Sequence, residues 1–245
     1  VDGAAGYLGG HVVKDLLGKG YKVRATDIQG SDMSELEKIG AETVYANLLN
    51  NDEVEKAVDS VDYVIHCAAL FDLTADIDVL RRVNVSGTEN ILRASAKKGV
   101  KHFVHVSSAD IYGTLKQLPG DENHPQKPIN NYAKSKKEGE DVVWKIAKEE
   151  NIEVTVFRPS AIYGPGSIYI AGVFFFWPIF FKFLRLPFYP YIRGGSKLTF
   201  THVDDVSRSI IFALGNVKAF GEVYNIADEE YMCSGDFACK LCKAF

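Results

Sequence analysis

Apolar runs and amphipathic stretches alternate along the chain. His11-Val12-Val13-Lys14-Asp15-Leu16-Leu17 has the spacing of a helix and closes at residues 18–20, and the short strand Tyr21-Lys22-Val23-Arg24-Ala25-Thr26 follows it, ending in Asp27. Val61-Asp62-Tyr63-Val64-Ile65-His66 is a buried-type strand running into the small residues Cys67, Ala68 and Ala69. Residues 83–90 open a helix, and Phe103-Val104-His105-Val106 reads as a strand that runs out through Ser107 and Ser108. A helix carrying Tyr132 comes next, then a strand ahead of Arg158, and Phe200-Thr201-His202 leads into a late helix. Strands of Val, Ile, Phe and Tyr alternating with helical stretches of ten or more residues predict a parallel sheet with crossover helices. No internal repeat or low-complexity linker interrupts the pattern.

Composition adds little to this picture. With 47% hydrophobic and 24% charged residues and a formal charge of −4 over 245 residues, the chain reads as a globular protein. A chain of this length buries roughly 70–75% of its unfolded surface. Lysines and arginines are scattered along the helices without a basic run, which argues against a nucleic-acid partner. Cys239-x-x-Cys242 has a metal-compatible spacing, but only Cys233 lies nearby and a structural zinc site needs four ligands, so no metal is expected and the thiols read as reduced.

The glycine pattern Gly3-Ala4-Ala5-Gly6-Tyr7-Leu8-Gly9 stands directly before the first helix. Glycines there permit a tight turn, close approach of backbone N–H groups to a phosphate, and close packing of helix on strand, with a pyrophosphate at the helix N-terminus. Asp27, eighteen residues after Gly9, ends the following strand. Its carboxylate suits the hydroxyls of an adenosine ribose and repels a 2′-phosphate, so the expected cofactor is NAD rather than NADP.

Tyr132-Ala133-Lys134-Ser135-Lys136 places a phenol and an ammonium four residues apart, on one face of a helix. A free tyrosine has a pKa near 10, and a cation beside the hydroxyl favours the phenolate, bringing the group into range as a general acid/base.

Glycine turn, strand, acid and Tyr-x-x-x-Lys in that order resemble the extended short-chain dehydrogenase/reductase family, which includes nucleotide-sugar epimerases and dehydratases and the 3β-hydroxysteroid dehydrogenases. The resemblance covers almost the whole chain. It includes Val83-Asn84-Val85-Ser86-Gly87-Thr88, Arg158-Pro159-Ser160-Ala161-Ile162-Tyr163-Gly164-Pro165 and Phe200-Thr201-His202-Val203-Asp204-Asp205. It implies an α/β fold, a Rossmann-type doubly wound parallel sheet with a small, incomplete C-terminal substrate-binding lobe. Residues 1–158 would form the NAD-binding domain, and residues 159–245 mostly the lobe, with about 200–227 returning to the Rossmann core. The implied catalytic triad is Ser108, Tyr132 and Lys136; Ser107 is expected to point away. Cofactor contacts are implied for Gly3, Gly6, Tyr7, Leu8, Gly9, Asp27, Asn47, Leu48, Ala68, Ala69, Asn84, Tyr132, Lys136 and Pro159.

Three positions depart from the family pattern. Asp2 stands where many members have threonine, and a carboxylate near a pyrophosphate weakens cofactor affinity unless it is turned away or capped by backbone donors. Asn47 replaces an aspartate that contacts the adenine amine, a bond its side-chain carbonyl can still accept. Ser160 replaces an asparagine common in nucleotide-sugar enzymes, which weakens the sugar reading. Both ends also look short against the resemblance: two residues precede Gly3, and Ser234 is a plausible N-cap for a helix over 235–242 that stops with the chain.

Residues 174–191 hold ten aromatics in eighteen positions, broken by Pro178, Lys182 and Arg185, too short a run to span a membrane. In the family this region helps line the substrate pocket. It reads as a greasy pocket wall, an interfacial element dipping into a bilayer, or a dimer contact, with ordinary core packing as the plain alternative. The expected function is NAD-dependent hydride transfer at a secondary alcohol or ketone of a hydrophobic substrate, sterol-, terpenoid- or acyl-like. The alternatives are a nucleotide-sugar epimerase or dehydratase and a catalytically silent NAD-binding regulator. A cytoplasmic homodimer is expected, with peripheral membrane contact through 174–191 as an open alternative; the resemblance implies pairing through the helix that continues over Val142, Val143, Trp144 and Ile146 and the helix after Asn84.

Overall fold

In a computed structural model of the chain, residues 1–167, 180, 183–185, 197–229 and 231–233 are described. The expected helix over 235–242 and all of the aromatic segment except 180 and 183–185 lie outside them. Three strands form the heart of the sheet: β3 (Tyr63–His66), β4 (His102–Val106) and β5 (Val154–Pro159). Every residue of β4 and β5 is buried, as expected for inner strands of a parallel sheet covered on both faces. They pair in parallel in the order β3-β4-β5-β9, with β9 (Val223–Ile226) at the edge. A second parallel pair, β1 (Arg24–Asp27) and β2 (Glu42–Tyr45), is joined to them by Asp2, which bridges to Thr26 on one side and His66 on the other. Strand β1 starts later than the sequence pattern suggests and still ends at Asp27.

Alternate strand residues feed two cores, following the two-residue period of the pleat. Ile65, Val104, Val106 and Phe157 face α1 (Tyr7–Gly18) and α7 (Val203–Ala213), meeting Val12, Val13, Leu16, Val206 and Ile210. Val64, Phe103, Val154 and Val156 face the other way, onto Ile91, Leu92, Val143 and Ile146 of α5 (Thr88–Lys97) and α6 (Asn131–Glu150). Val143 and Ile146, named above for a partner surface, are fully buried in this chain's own core, and Val142 and Trp144 pack partly buried against it. Those four residues therefore offer little apolar surface to a second subunit.

The helix expected to open at Val83 begins earlier. α4 (Ile77–Arg81) runs into a π-helical turn, Arg82–Gly87, and then into α5. Beyond β5 a smaller layer pairs β6 (Ala161–Tyr163) with β8 (Phe200–His202) in parallel, and β7 (Lys197–Leu198) with β10 (Met232–Cys233) in antiparallel fashion. Among the described residues no helix is long and apolar enough to cross a membrane.

Candidate active site

The carboxyl ends of the strands carry the candidate residues, where ligands bind in open α/β sheets. Gly3 has φ +61°, and a Cβ there would come within 2.7 Å of Ala68 N; a Cβ at Gly9 would come within 2.1 Å of the Gly3 carbonyl oxygen. Only glycine fits either position. Gly6 caps α1 without a side chain, and the first turn of the helix holds no acidic residue, so its N–H groups and positive dipole end suit an anion. Beside this turn Asp27 is held rigidly: one carboxylate oxygen accepts from Ala5 N at 2.9 Å, the other from Ile28 N at 2.8 Å and Ser31 Oγ at 2.9 Å. A tightly packed glycine turn at a helix N-terminus, next to a fixed carboxylate, fits a dinucleotide with free ribose hydroxyls.

Asp2 does not threaten that site. Its carboxylate turns inward, 4% exposed, and accepts from Ala68 N at 2.8 Å and from His66 Nδ1 at 2.5 Å. The bonds to Ala68 N and His66 hold it on the side away from the glycine turn. Asp2 is thus turned away and capped by a backbone donor, the condition under which no loss of cofactor affinity is expected.

Asn47 is exposed, and its side-chain oxygen accepts from Leu49 N at 2.9 Å, an Asx turn that uses the carbonyl expected to receive the adenine amine. Leu48 packs against Gly87, where a Cβ would come within 3.1 Å of it. Asn84 is 1% exposed, with its amide spent on Leu70 N, Leu70 O and Ser135 Oγ. Its side chain fixes the loop after β3 instead of reaching outward. Pro159 ends β5, in register with Ile226, and Ser160 N donates to the Ile226 carbonyl at 2.9 Å.

Tyr132 and Lys136 lie on the first turns of α6, which Asn130 caps by accepting from Ala133 N at 2.8 Å. Lys136 is 3% exposed and donates from Nζ to the Val106 carbonyl at 2.8 Å, tying α6 to the end of β4, two residues before Ser108. Burial lowers the Lys136 ammonium to about 8, with Cys67, Asp2 and Glu140 pulling the other way. At neutral pH the group is still mostly charged. Ser108 accepts from Asp110 N at 3.2 Å, which leaves its own hydroxyl proton for another acceptor; Ser107 beside it is buried. The Phe71 ring meets Tyr132 edge-on, with centroids 4.8 Å apart.

Two buried networks had no signal in the sequence. One runs from Asp2 through His66 to Thr88; the other joins Glu140, Arg158, Tyr112 and Asn225. Each links residues dozens of positions apart, and no local spacing announces such pairs.

Known proteins resemble the chain throughout. The N-acetyl-alpha-D-glucosaminyl-diphospho-ditrans,octacis-undecaprenol 4-epimerase of Escherichia coli O157:H7 is 30% identical over 93% of this chain and 66% of its own. The human sterol-4-alpha-carboxylate 3-dehydrogenase, decarboxylating, is 28% identical over 94% of this chain and 62% of its own. The chain thus spans less than two thirds of either relative. The solved structure of the Thermus thermophilus UDP-glucose 4-epimerase in complex with NAD superposes with a TM-score of 0.84 at 26% identity, covering 99% of this chain and 81% of that one. A sequence model of the NAD dependent epimerase/dehydratase family matches residues 1–227, from the glycine turn through β9, and the chain belongs to that family.

Proposed function

We propose that the protein is an NAD-dependent oxidoreductase of the extended short-chain dehydrogenase type, acting at a secondary alcohol or ketone of a hydrophobic substrate. The observation that carries the chemistry is the Lys136–Val106 bond, which brings the lysine to the strand end that carries Ser108. Bound NAD supplies hydride transfer at the carbon that bears the reacting oxygen. Tyr132 takes the hydroxyl proton during oxidation and returns it during reduction. The Ser108 hydroxyl donates to the reacting oxygen, its lone pair already engaged by Asp110 N. The Lys136 ammonium favours the tyrosine phenolate, and after the Val106 bond it keeps N–H donors for a ribose hydroxyl. Acid/base assistance of this kind is worth about 10²–10⁴ in rate.

Supporting a hydrophobic substrate, Phe71 stands against Tyr132, and Leu73 and Ile129 are 56% and 73% exposed on neighbouring loops that Asn131 Nδ2 links through Ala75 O at 3.3 Å. Phe183 in the aromatic segment is 81% exposed. The similarity to the human sterol enzyme agrees with this reading. A sugar 4-epimerase is the second reading, favoured by the bacterial relative, whose named substrate joins a diphosphosugar to a polyprenol.

Turnover of NAD⁺ with sterol-like alcohols, measured beside UDP-sugars, separates the two. Tyr132→Phe should retain NAD⁺ binding and lose at least about 10²-fold in turnover; unchanged function would mark a silent regulator. Replacing Phe175, Phe176 and Trp177 with serine should impair the hydrophobic substrate or liposome binding. If Arg185→Ala with Arg193→Ala abolishes UDP-sugar turnover while the serine variant stays active, the lipophilic reading is wrong. A homodimer formed through the outer faces of α5 and α6, without the buried Val143 and Ile146, belongs to the same proposal, and a monomeric mass by sedimentation at micromolar concentration overturns it.

A further inference from the structure

A continuous chain of buried hydrogen bonds runs behind the cofactor turn, and its protons can be counted. Thr88 Oγ1 lies 2.8 Å from the Asn84 carbonyl oxygen; a carbonyl has no proton, so the hydroxyl must donate. Ser135 Oγ lies 2.8 Å from the Tyr132 carbonyl oxygen and must donate for the same reason. Ser135 Oγ then accepts from Asn84 Nδ2 at 2.9 Å, and Thr88 Oγ1 accepts from His66 Nε2 at 2.9 Å. His66 Nε2 therefore carries a proton.

The other ring nitrogen, Nδ1, lies 2.5 Å from Asp2 Oδ2. A second proton must sit between them, because a bare nitrogen facing a bare carboxylate would repel it. An imidazole holds a proton more tightly than a carboxyl group, by reference values of about 6.5 against about 3.9. Burial opposes ionisation of Asp2, but the His66 charge, its hydrogen bond and the Ala68 N–H hold that carboxyl below its ordinary range. Asp2 Oδ1 is already committed to Ala68 N. The Val1 amino group and the Lys136 ammonium also act on Asp2, and as cations both favour its carboxylate form; near His66 itself the Phe103 ring is 5.8 Å away, and His105, 5.3 Å away, is kept neutral by burial with Lys136 and His66 nearby. The Cys67 thiol, pushed up to about 12 by burial, is also neutral.

We propose that Asp2, His66 and Thr88 form a buried brace in which both ring nitrogens of His66 are protonated, locking the glycine turn and the Ala68 loop to the helix pair that carries Asn84 and Tyr132. Asp2 and His66 are positioning residues in this scheme. Asp2 precedes the Gly3 turn and holds Ala68, whose backbone touches that turn; Thr88 holds the Asn84 carbonyl, and the Asn84 side chain holds Leu70 and Ser135, next to Phe71 and Tyr132. A threonine at position 2 carries no charge, so a partner cation at His66 belongs with the aspartate of this chain.

The test reads the protons directly. In ¹⁵N-histidine-labelled protein near neutral pH, both ring nitrogens of His66 should give protonated-type resonances. In Asp2→Asn the new amide faces Nδ1 as a donor, so Nδ1 should switch to the unprotonated type while Nε2 stays protonated. An unprotonated nitrogen in the native protein, or an Asn variant without the switch, overturns the proposal. The NAD⁺ titration that follows rests on the function proposed above, whereas the spectra do not. Asp2→Ala should weaken NAD⁺ binding about tenfold and Asp2→Asn, which can keep the Ala68 bond, less than about threefold. Equal losses in the two variants overturn the positioning role even if the spectra are as expected. Should Asp2→Ala fail to fold, Thr88→Val against Thr88→Ser gives the same comparison: serine should restore the native affinity and valine should not.

Discussion

Glu140 and Arg158 form a buried ion pair between α6 and β5, with side chains 2% and 4% exposed. Arg158 Nε lies 3.1 Å from Glu140 Oε2, and Nη1 donates to the Tyr112 hydroxyl and, at 3.0 Å, to the Glu122 carbonyl. The Tyr112 hydroxyl donates to Asn225 Oδ1 at 2.8 Å, and Asn225 N donates to Glu122 Oε1 at 2.8 Å. Helix α6, the turn after Ser108 and the edge strand β9 are thereby fixed to one guanidinium. Removing one partner strands a buried charge, which typically costs about 3–5 kcal/mol, whereas replacing both with apolar residues is often near neutral. Urea denaturation should show Glu140→Leu destabilised by that amount and Glu140→Leu/Arg158→Met recovering much of it. A double variant as unstable as the single one would contradict this account.

Gly139 sits inside α6, where alanine normally stabilises a helix by up to about 1 kcal/mol. Here a Cβ would come within 2.4 Å of the Asn84 carbonyl oxygen in the π-helical turn. Backbone cannot yield as a flexible side chain can. Gly139→Ala should therefore lower the thermal midpoint, while Gly18→Ala, which meets nothing within 4 Å, should leave it unchanged or raise it. Parallel melting curves of the two variants check the sign.

The proposed preference for NAD over NADP rests on Asp27. Its carboxylate is pinned by Ala5 N, Ile28 N and Ser31 Oγ, so it cannot swing away from a 2′-phosphate. NAD(H) should bind at least about tenfold more tightly than NADP(H), a difference of ~1.4 kcal/mol or more. Asp27→Ala should narrow the gap. Equal affinities in the native protein, measured by fluorescence titration, would overturn the assignment.

The features legible in the sequence were those written in local spacing. The glycine turn, Asp27 at a strand end and Tyr132 with Lys136 one turn apart each depend on a few neighbouring residues, and the alternation of strands and helices sets the parallel sheet. The direction of Asp2 was not legible, because a two-residue segment ahead of a turn shows no pleat to follow. Nor was the commitment of Asn47 to its own turn, or the π-helical turn before α5, which depends on Gly87 packing against Leu48 and Gly139 against Asn84. Buried pairs such as Glu140 with Arg158 escape for a similar reason: their spacing in sequence carries no period, and only the packed fold brings them together.

Burial makes Lys136 a liability to the fold, with a definite pH window. Its folded value of about 8 lies below the reference value of 10.5, because the low-dielectric interior disfavours the ammonium. Between those two pH values Lys136 binds more protons in the unfolded chain than in the folded one, so its contribution to stability rises with pH across that interval, while Cys67, pushed up to about 12, acts in the opposite sense above about pH 9. The penalty is fully present below about pH 8, where the folded protein carries a buried charge, and amounts to ~3 kcal/mol at 1.36 kcal/mol per pH unit. Lys136→Met removes the charge while keeping most of the side-chain volume. At pH 7 the variant should be the more stable protein by up to that amount and should have lost its turnover. Its advantage should shrink as the pH is raised from 8 to 10.5, measured as the difference between urea midpoints at each pH. His102, lowered to about 4 by burial, acts in a separate window, where stability falls as the pH drops from 6.5, and it affects both proteins equally. A variant less stable than the native protein at pH 7, or a difference independent of pH between 8 and 10.5, would mean that Lys136 is not desolvated as its position under Val106 requires.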